Sequence, residues 1–138
     1  MVEHFRELRV YQHAVETAMR IFRLSARWLC EERYSLTDQV RRSSRSVATN
    51  IAEAWCKRRY VSHFVSKLSD ADAEAAETQA WLDFALRCRY ISDDEFSKLD
   101  QEYEAISGGL VRMMAQADQW CGPSSLVKEE EPTYETAP

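Results

Sequence analysis

The chain has 138 residues, of which 45% are apolar and 30% charged, with a formal net charge of −5 and only three glycines and three prolines. This length and apolar content fit one hydrophobic core and argue against disorder along the whole chain. The scarcity of glycine and proline argues against a β-rich fold, which needs turn residues at its many strand ends.

Three features of the sequence bear on its cellular location. No uncharged apolar segment approaches the ~18 residues needed to span a bilayer, so no membrane contact is expected. The first residues lack the basic and then apolar pattern of a secretory signal. The four cysteines, Cys30, Cys56, Cys88 and Cys121, form no C-x-x-C pair, which is typical of reduced thiols rather than of a zinc site or a disulfide framework. We therefore expect a cytoplasmic protein.

Two amphipathic helices are predicted in the first half of the chain. Apolar residues recur at steps of three and four over residues 8–29 and again over residues 35–57. The second of these helices also carries small residues, among them Ser43, Ser44, Ala48 and Ala52. Small residues allow a neighbouring helix to approach closely.

Two further helices are predicted over residues 61–90 and 93–120. Ser92 and Glu95 form a capping box, in which the Ser92 hydroxyl accepts the Glu95 N–H and the Glu95 carboxylate accepts the Ser92 N–H. The sequence therefore predicts one all-α domain over residues 1–121, built as an up-down-up-down antiparallel four-helix bundle. Gly122 and Pro123 end the last helix, and the Glu-rich residues 122–138 are predicted to form an acidic, flexible tail.

Three segments carry a resemblance to a known family, namely residues 5–12 (FRELRVYQ), 34–43 (YSLTDQVRRS) and 46–54 (SVATNIAEA). Together they resemble the bacterial 23S rRNA intervening-sequence protein family, whose relatives include the accessory variability determinants of diversity-generating retroelements. The resemblance covers residues 5–120. It implies a helical bundle that assembles into a ring-shaped homo-oligomer, with a pentamer as the expected size. It also implies an accessory role near nucleic acid, which the retroelement relatives bind through basic surfaces.

The sequence departs from the family pattern in backbone-sensitive residues and in charge. Ala48 and Ala54 stand where family members commonly have proline and glycine, and the alanines make the second helix more regular. The chain is acidic, whereas the nucleic-acid-binding relatives are basic. The difference in charge bears on function more than on fold, because phosphate binding depends on cations.

The charge is distributed unevenly along the chain. Residues 35–60 carry six cations against two carboxylates, while residues 92–121 carry seven carboxylates against two cations. The cations of the first segment form a candidate basic patch: Arg41, Arg42, Arg45, Lys57, Arg58 and Arg59. One interpretation is a rim that binds nucleic-acid phosphates, with Tyr60 available to stack on a base. The other is an assembly contact, in which basic and acidic helices attract one another.

Other polar and aromatic residues lie beside the apolar stripes. Asn50 and Glu53 share one face of the second helix, and Glu77 lies on the third. We interpret these three residues as a polar network that fixes helix register or bonds across a subunit interface, with ligand binding as the alternative. Trp55 and Trp81 are assigned to subunit contacts, because they do not lie cleanly on the predicted core stripes.

No motif in the sequence indicates catalysis. None of the three histidines follows a glutamate by three residues, as the di-iron bundles require. A glycine-rich phosphate loop, a nucleophile elbow and a His-Glu-x-x-His motif are also missing from the sequence. We therefore predict a protein without enzymatic activity, cofactor or metal. The favoured function is an oligomeric accessory factor associated with RNA, and the alternative is a protein–protein assembly scaffold with no nucleic-acid role.

Overall fold

A computed structural model describes residues 1–122. Its four long helices are α1 (Arg9–Ser25), α2 (Asp38–Cys56), α3 (Val61–Arg87) and α4 (Asp93–Ala115), and a short helix α5 (Ala117–Cys121) follows. A 3₁₀ turn, Phe5–Glu7, precedes α1, and two irregular helical turns, Cys30–Glu32 and Arg33–Thr37, connect α1 to α2.

The long helices form one closed bundle. Each packs against the next along the chain, and α1 also contacts α4. This arrangement confirms the predicted all-α, up-down-up-down four-helix bundle. The predicted tail, residues 122–138, lies outside the described residues except for Gly122.

The core consists of the apolar stripes of all four helices. Fifteen of its residues are 0 or 1% exposed: Ala14, Ile21, Val40, Val47, Ile51, Ala54, Phe64, Leu68, Ala71, Ala75, Leu82, Ala85, Tyr103, Ile106 and Leu110. At the α2–α3 contact, the Ser43 and Thr78 hydroxyls lie 2.8 Å apart and both residues are fully buried. A buried hydroxyl needs a partner, so this pair helps to fix how α2 sits on α3.

The first helix is shorter than predicted, ending at Ser25 rather than at residue 29. Beyond it the chain bends through a turn in which the Trp28 N–H donates to the Ser25 carbonyl at 3.1 Å. Trp28 is 8% exposed, and its ring stacks on Tyr90 at a centroid distance of 5.6 Å. Trp28 therefore packs on the bundle from the connection rather than from a continued helix, whereas Leu29, at the end of the predicted range, is 53% exposed.

The second and fourth helices also differ from the predicted ranges of 35–57 and 93–120. Residues 33–37 form a wider helical turn, and α2 proper begins at Asp38. Helix α4 breaks at Gln116, whose N–H is shared between the carbonyls of Arg112 and Met113 at 3.0 and 3.2 Å. The break lets the short α5 pack on α3 with Ala117 and Cys121 buried. The predicted capping box of Ser92 and Glu95 is confirmed, with hydrogen bonds of 2.9 and 3.0 Å.

The third helix ends at Arg87 rather than at residue 90 because Arg89 adopts a left-handed conformation with a φ of 64°. The N–H groups of Tyr90 and Arg89 then donate to the carbonyls of Ala85 and Leu86, both at 2.9 Å. This is the Schellman arrangement, which commonly has glycine at the position that Arg89 occupies. For a residue with a Cβ atom, this backbone conformation costs roughly 1–2 kcal/mol.

We expect Arg89→Gly to raise the free energy of unfolding by about 0.5–1 kcal/mol, because glycine adopts this positive φ without strain. The greater conformational entropy of glycine in the unfolded chain offsets part of the gain. The matched control is Arg87→Gly, which removes the same exposed side chain two residues earlier, inside α3. That change should lower stability by up to about 1 kcal/mol. Urea denaturation followed by circular dichroism measures both, and equal effects of the two substitutions would contradict the assignment.

Candidate nucleic-acid interface

The six residues of the predicted basic patch do not form one surface. Arg41, Arg42 and Arg45 lie in the first half of α2, whereas Lys57, Arg58 and Arg59 follow its last residue. Fifteen residues separate Arg41 from Cys56, which corresponds to ~22 Å along the helix axis. The prediction of a single patch is therefore wrong, and the structure divides it into two groups at different ends of α2.

Two members of the first group pack against the end of α1. The Arg41 guanidinium donates to the Ser25 hydroxyl at 2.8 Å and to the Phe22 carbonyl at 3.2 Å. Carbonyls in the last turn of a helix lack the usual partner, and a cation there is favourable. The guanidiniums of Arg41 and Arg45 also lie 4.5 and 5.7 Å from the centre of the Phe22 ring. Arg41 thus ties α2 to α1 instead of standing free for a ligand.

The third member of this group, Arg42, is neutralised by α3. It forms ion pairs with Glu77 and, at 3.4 Å, with Glu74. Glu77 also accepts a hydrogen bond from the Trp81 indole N–H at 3.0 Å. This bond and the one from Arg42 hold the pKa of Glu77 below its usual value, the indole contributing most. The ion pairs join α2 to α3 and leave Arg42 with little capacity for an outside anion.

The predicted polar network is wrong as a single network. Asn50 donates within its own helix, to the carbonyl and hydroxyl of Ser46 at 2.9 and 3.0 Å. Glu53 instead pairs with Lys67 of α3, with 2.6 Å between carboxylate oxygen and ammonium nitrogen. Glu77 belongs to the Arg42 contact described above. These are separate local contacts, two of which join α2 to α3.

The second group of cations lies in the short connection between α2 and α3. We define the basic turn as Lys57, Arg58, Arg59, Tyr60 and His63. Lys57 and Arg59 are exposed. Within residues 1–122, neither has a carboxylate within ion-pair distance. Arg45 is also exposed without an ion pair in this range, but the basic turn is where two such cations lie beside an exposed aromatic ring, that of Tyr60.

Two aromatic contacts shape this turn. The Arg58 side chain folds back, donating to the Trp55 carbonyl at 2.9 Å while its guanidinium lies 3.6 Å from the centre of the Trp55 ring. Partial burial lowers the pKa of Arg58. The Tyr60 ring is 47% exposed and meets His63 edge to face at 5.2 Å. The turn thus combines free cations with an accessible aromatic ring.

The two tryptophans assigned to subunit contacts have different positions. Trp55 is only 6% exposed and packs edge to face against Trp120 at 6.0 Å, so its assignment to a subunit contact is wrong. The sequence held a signal for this, because Val47, Ile51 and Trp55 follow one another at steps of four. Trp81 is half-buried, with its ring 5.9 Å from that of Phe84.

Trp81, which the sequence assigned to a subunit contact, and Phe84, which it did not single out, belong to one exposed apolar surface. We define the aromatic groove as Leu36, Gln39, Trp81, Phe84 and Cys88, which line one depression between the start of α2 and the end of α3. Phe84 is 56% exposed there. Exposed aromatic side chains next to a partly buried one are typical of a surface that binds another protein.

Residues 1–122 lack several other kinds of site. In this range no group of three or more His, Cys, Asp or Glu side chains could hold a metal ion. The four cysteines all lie in the same range and form no disulfide with one another. None of the helices described here has the length and apolar character required to cross a membrane.

The chain is similar in sequence to one protein family and in structure to a solved protein. Residues 6–112 match the family described as 23S rRNA-intervening sequence protein. A crystal structure from Bacteroides thetaiotaomicron VPI-5482, of a protein with unknown function from the S23 ribosomal protein family, is 28% identical. The match covers 77% of this chain and 95% of that one, with a TM-score of 0.69. No curated protein matches the chain.

The positions of the tryptophans predict unequal effects of truncation. We expect Trp55→Ala to lower the free energy of unfolding by about 3–5 kcal/mol, because it opens a cavity in the core. Trp81→Ala should cost roughly 1–2 kcal/mol, since its ring is half-buried and its indole donates one hydrogen bond. Chemical denaturation at equal protein concentration measures both, and a smaller loss for Trp55→Ala would contradict its place in the core.

Proposed function

We propose that this chain, which belongs to the 23S rRNA-intervening sequence protein family, is a non-enzymatic homo-oligomer that binds RNA through its basic turn. The observation that carries the proposal is the pair of unneutralised cations, Lys57 and Arg59, beside the exposed ring of Tyr60. Cations that contact phosphates and aromatic rings that stack on bases are the two parts of a surface for single-stranded RNA.

The pairing of nearby carboxylates supports this assignment. Glu53 is the acidic residue nearest to the turn on α2, and it pairs with Lys67. Lys67 also lies 3.7 Å from Asp70, the next acidic residue along α3. Lys67 thus offsets one of these two negative charges, and neither carboxylate is paired with Lys57 or Arg59.

The acidic character of the whole chain limits where RNA can bind. With a net charge of −5, the chain as a whole repels phosphates, and a few cations in one place give only weak affinity. Assembly would overcome this weakness, because a ring of identical subunits presents the basic turn repeatedly and gains affinity from multivalency. Five subunits is the number we expect from the family resemblance.

The subunit contact that we propose is the aromatic groove. Phe84 is 56% exposed and Trp81 half-buried in this groove, and Glu32 at its border is the single charged residue that lines the depression. Burying this surface against a second subunit would remove apolar area from water. The cytoplasm is the location we propose, consistent with four cysteines that form no disulfide among themselves.

The same groove supports a second candidate function, that of a protein–protein scaffold without nucleic acid. In this case the aromatic groove would receive a different protein, and the basic turn would be an electrostatic contact for an acidic region of that partner. The two functions differ in the ligand of the basic turn, so a measurement of RNA binding separates them.

We expect Lys57→Ala with Arg59→Ala to weaken binding of a fluorescently labelled stem-loop RNA, measured by anisotropy at several salt concentrations. The slope of log K against log salt should fall by roughly 1.4–1.8, because two phosphate contacts are lost. The matched control is Arg33→Ala with Arg87→Ala, which removes two exposed cations at the other end of the bundle. Equal weakening by the control, or no salt-sensitive binding by the unaltered chain at micromolar concentration, would contradict the proposal.

We expect Phe84→Asp to dissociate the oligomer, because an unpaired carboxylate in an apolar contact is costly to desolvate. Light scattering should then give the monomer mass of 16.1 kDa. Val111→Asp is the matched control, since Val111 is 51% exposed on α4. A monomeric unaltered chain, or an assembly unaffected by Phe84→Asp, would overturn the proposed interface.

A further inference from the structure

The described chain ends beside the basic turn. Trp120, near the end of α5, packs edge to face against Trp55 with ring centres 6.0 Å apart, and the Arg58 guanidinium lies 3.6 Å from the centre of the Trp55 ring. Cys121 is buried, and burial raises the pKa of its thiol while the charge of Arg58 opposes the rise. Two aromatic contacts therefore connect the last helix to the basic turn, and residues after Gly122 start from this end of the bundle.

The residues that follow have the opposite charge. Residues 123–138 contain Glu129, Glu130, Glu131 and Glu135 against Lys128, a net charge of −3 from side chains. Glu129 is seven residues beyond Gly122, so an extended chain reaches up to ~25 Å from that point. This reach is ample for a turn linked to α5 through Trp55.

We propose that residues 123–138 bind the basic turn of their own chain, with the run of Glu129, Glu130 and Glu131 opposing Lys57 and Arg59. The segment then occupies the surface that RNA would contact and competes with its phosphates. This inference rests on the proposed function for the competition, but the contact between the segment and the turn does not depend on it.

The energetics favour a contact that RNA can displace. An exposed ion pair contributes little net free energy, so the acidic run binds weakly at each position. Because the segment belongs to the same chain, its effective concentration at the turn is on the order of millimolar. Both the segment and RNA bind electrostatically, so high salt weakens both. The segment thus raises the concentration of RNA needed for binding without closing the site.

Other cations are less suited to receive the segment. Arg41 and Arg45 lie against Phe22 in the other half of α2, and Arg42 is paired with α3. Arg9 and Arg112 line a cleft between α1 and α4. This cleft is the competing location, and the experiment must distinguish it from the basic turn.

The first measurement uses the full chain without RNA. Carbodiimide joins a lysine to a carboxylate only where the two are in contact, and mass spectrometry locates the products. We expect Lys57 to be joined to Glu129, Glu130 or Glu131. Lys98 is the reference lysine, since it lies near the start of α4 and pairs with Asp94 at 3.3 Å. Absence of a product that joins Lys57 to one of these glutamates, or an equal yield of a product that joins Lys98 to them, would overturn the contact.

The second measurement compares RNA affinities of full-length variants. Glu129→Gln with Glu130→Gln and Glu131→Gln should tighten binding roughly threefold to tenfold at low salt, and the difference should vanish at high salt. The matched control, Glu16→Gln with Glu31→Gln and Asp83→Asn, removes the same charge from exposed positions elsewhere on the bundle. Equal tightening by the control variant would show that net charge alone causes the effect, and it would overturn the proposed competition between the segment and RNA.

A cycle of variants then locates the effect. In a chain that already carries Lys57→Ala and Arg59→Ala, neutralising the three glutamates should no longer change RNA affinity, because the groups they oppose are gone. A tightening that persists in this background would place the segment elsewhere, such as the Arg9 and Arg112 cleft. If no variant binds RNA, the proposed function and the competition both fail, while the cross-link still decides whether the segment contacts the turn.

Discussion

Helices α2 and α3 can approach closely because small side chains face each other between them. The Ser43 and Thr78 hydroxyls meet at 2.8 Å in a fully buried environment, which leaves no room for a large residue at either position. The Thr78 hydroxyl donates to the Glu74 carbonyl at 2.8 Å and can accept from Ser43, so neither hydroxyl is buried without a partner. With this contact fixed, Arg42 falls opposite Glu77, and Glu53 falls opposite Lys67.

The same register decides which charges remain available. Carboxylates of α3 neutralise Arg42, and the end of α1 holds Arg41. The connection from α2 to α3 projects beyond these contacts, so Lys57 and Arg59 keep their charge exposed. A protein that is acidic overall can therefore carry a small cationic surface at one end. In the proposed function, assembly into a ring presents that surface several times.

Much of the fold could be predicted because it depends on local patterns. Apolar residues at steps of three and four gave four helices, and the Ser92 capping box gave the start of α4 correctly. Helix ends were less predictable. Trp28 continues the apolar spacing of α1 but packs on Tyr90 from a turn, and Arg89 takes a conformation in which glycine would be expected. These ends depend on packing between distant segments, which spacing along one helix does not reveal.

The sequence by itself determined the helical bundle, the family, and the excess of cations between residues 35 and 60. These properties follow from side-chain periodicity and composition, which are local. Only the tertiary structure decided that this excess divides into engaged and available groups, and that Trp55 belongs to the core. The physical reason is that Arg42 and Glu77 are 35 residues apart in sequence. Their charges cancel only because α2 and α3 pack in one register, and that register is a property of the folded bundle.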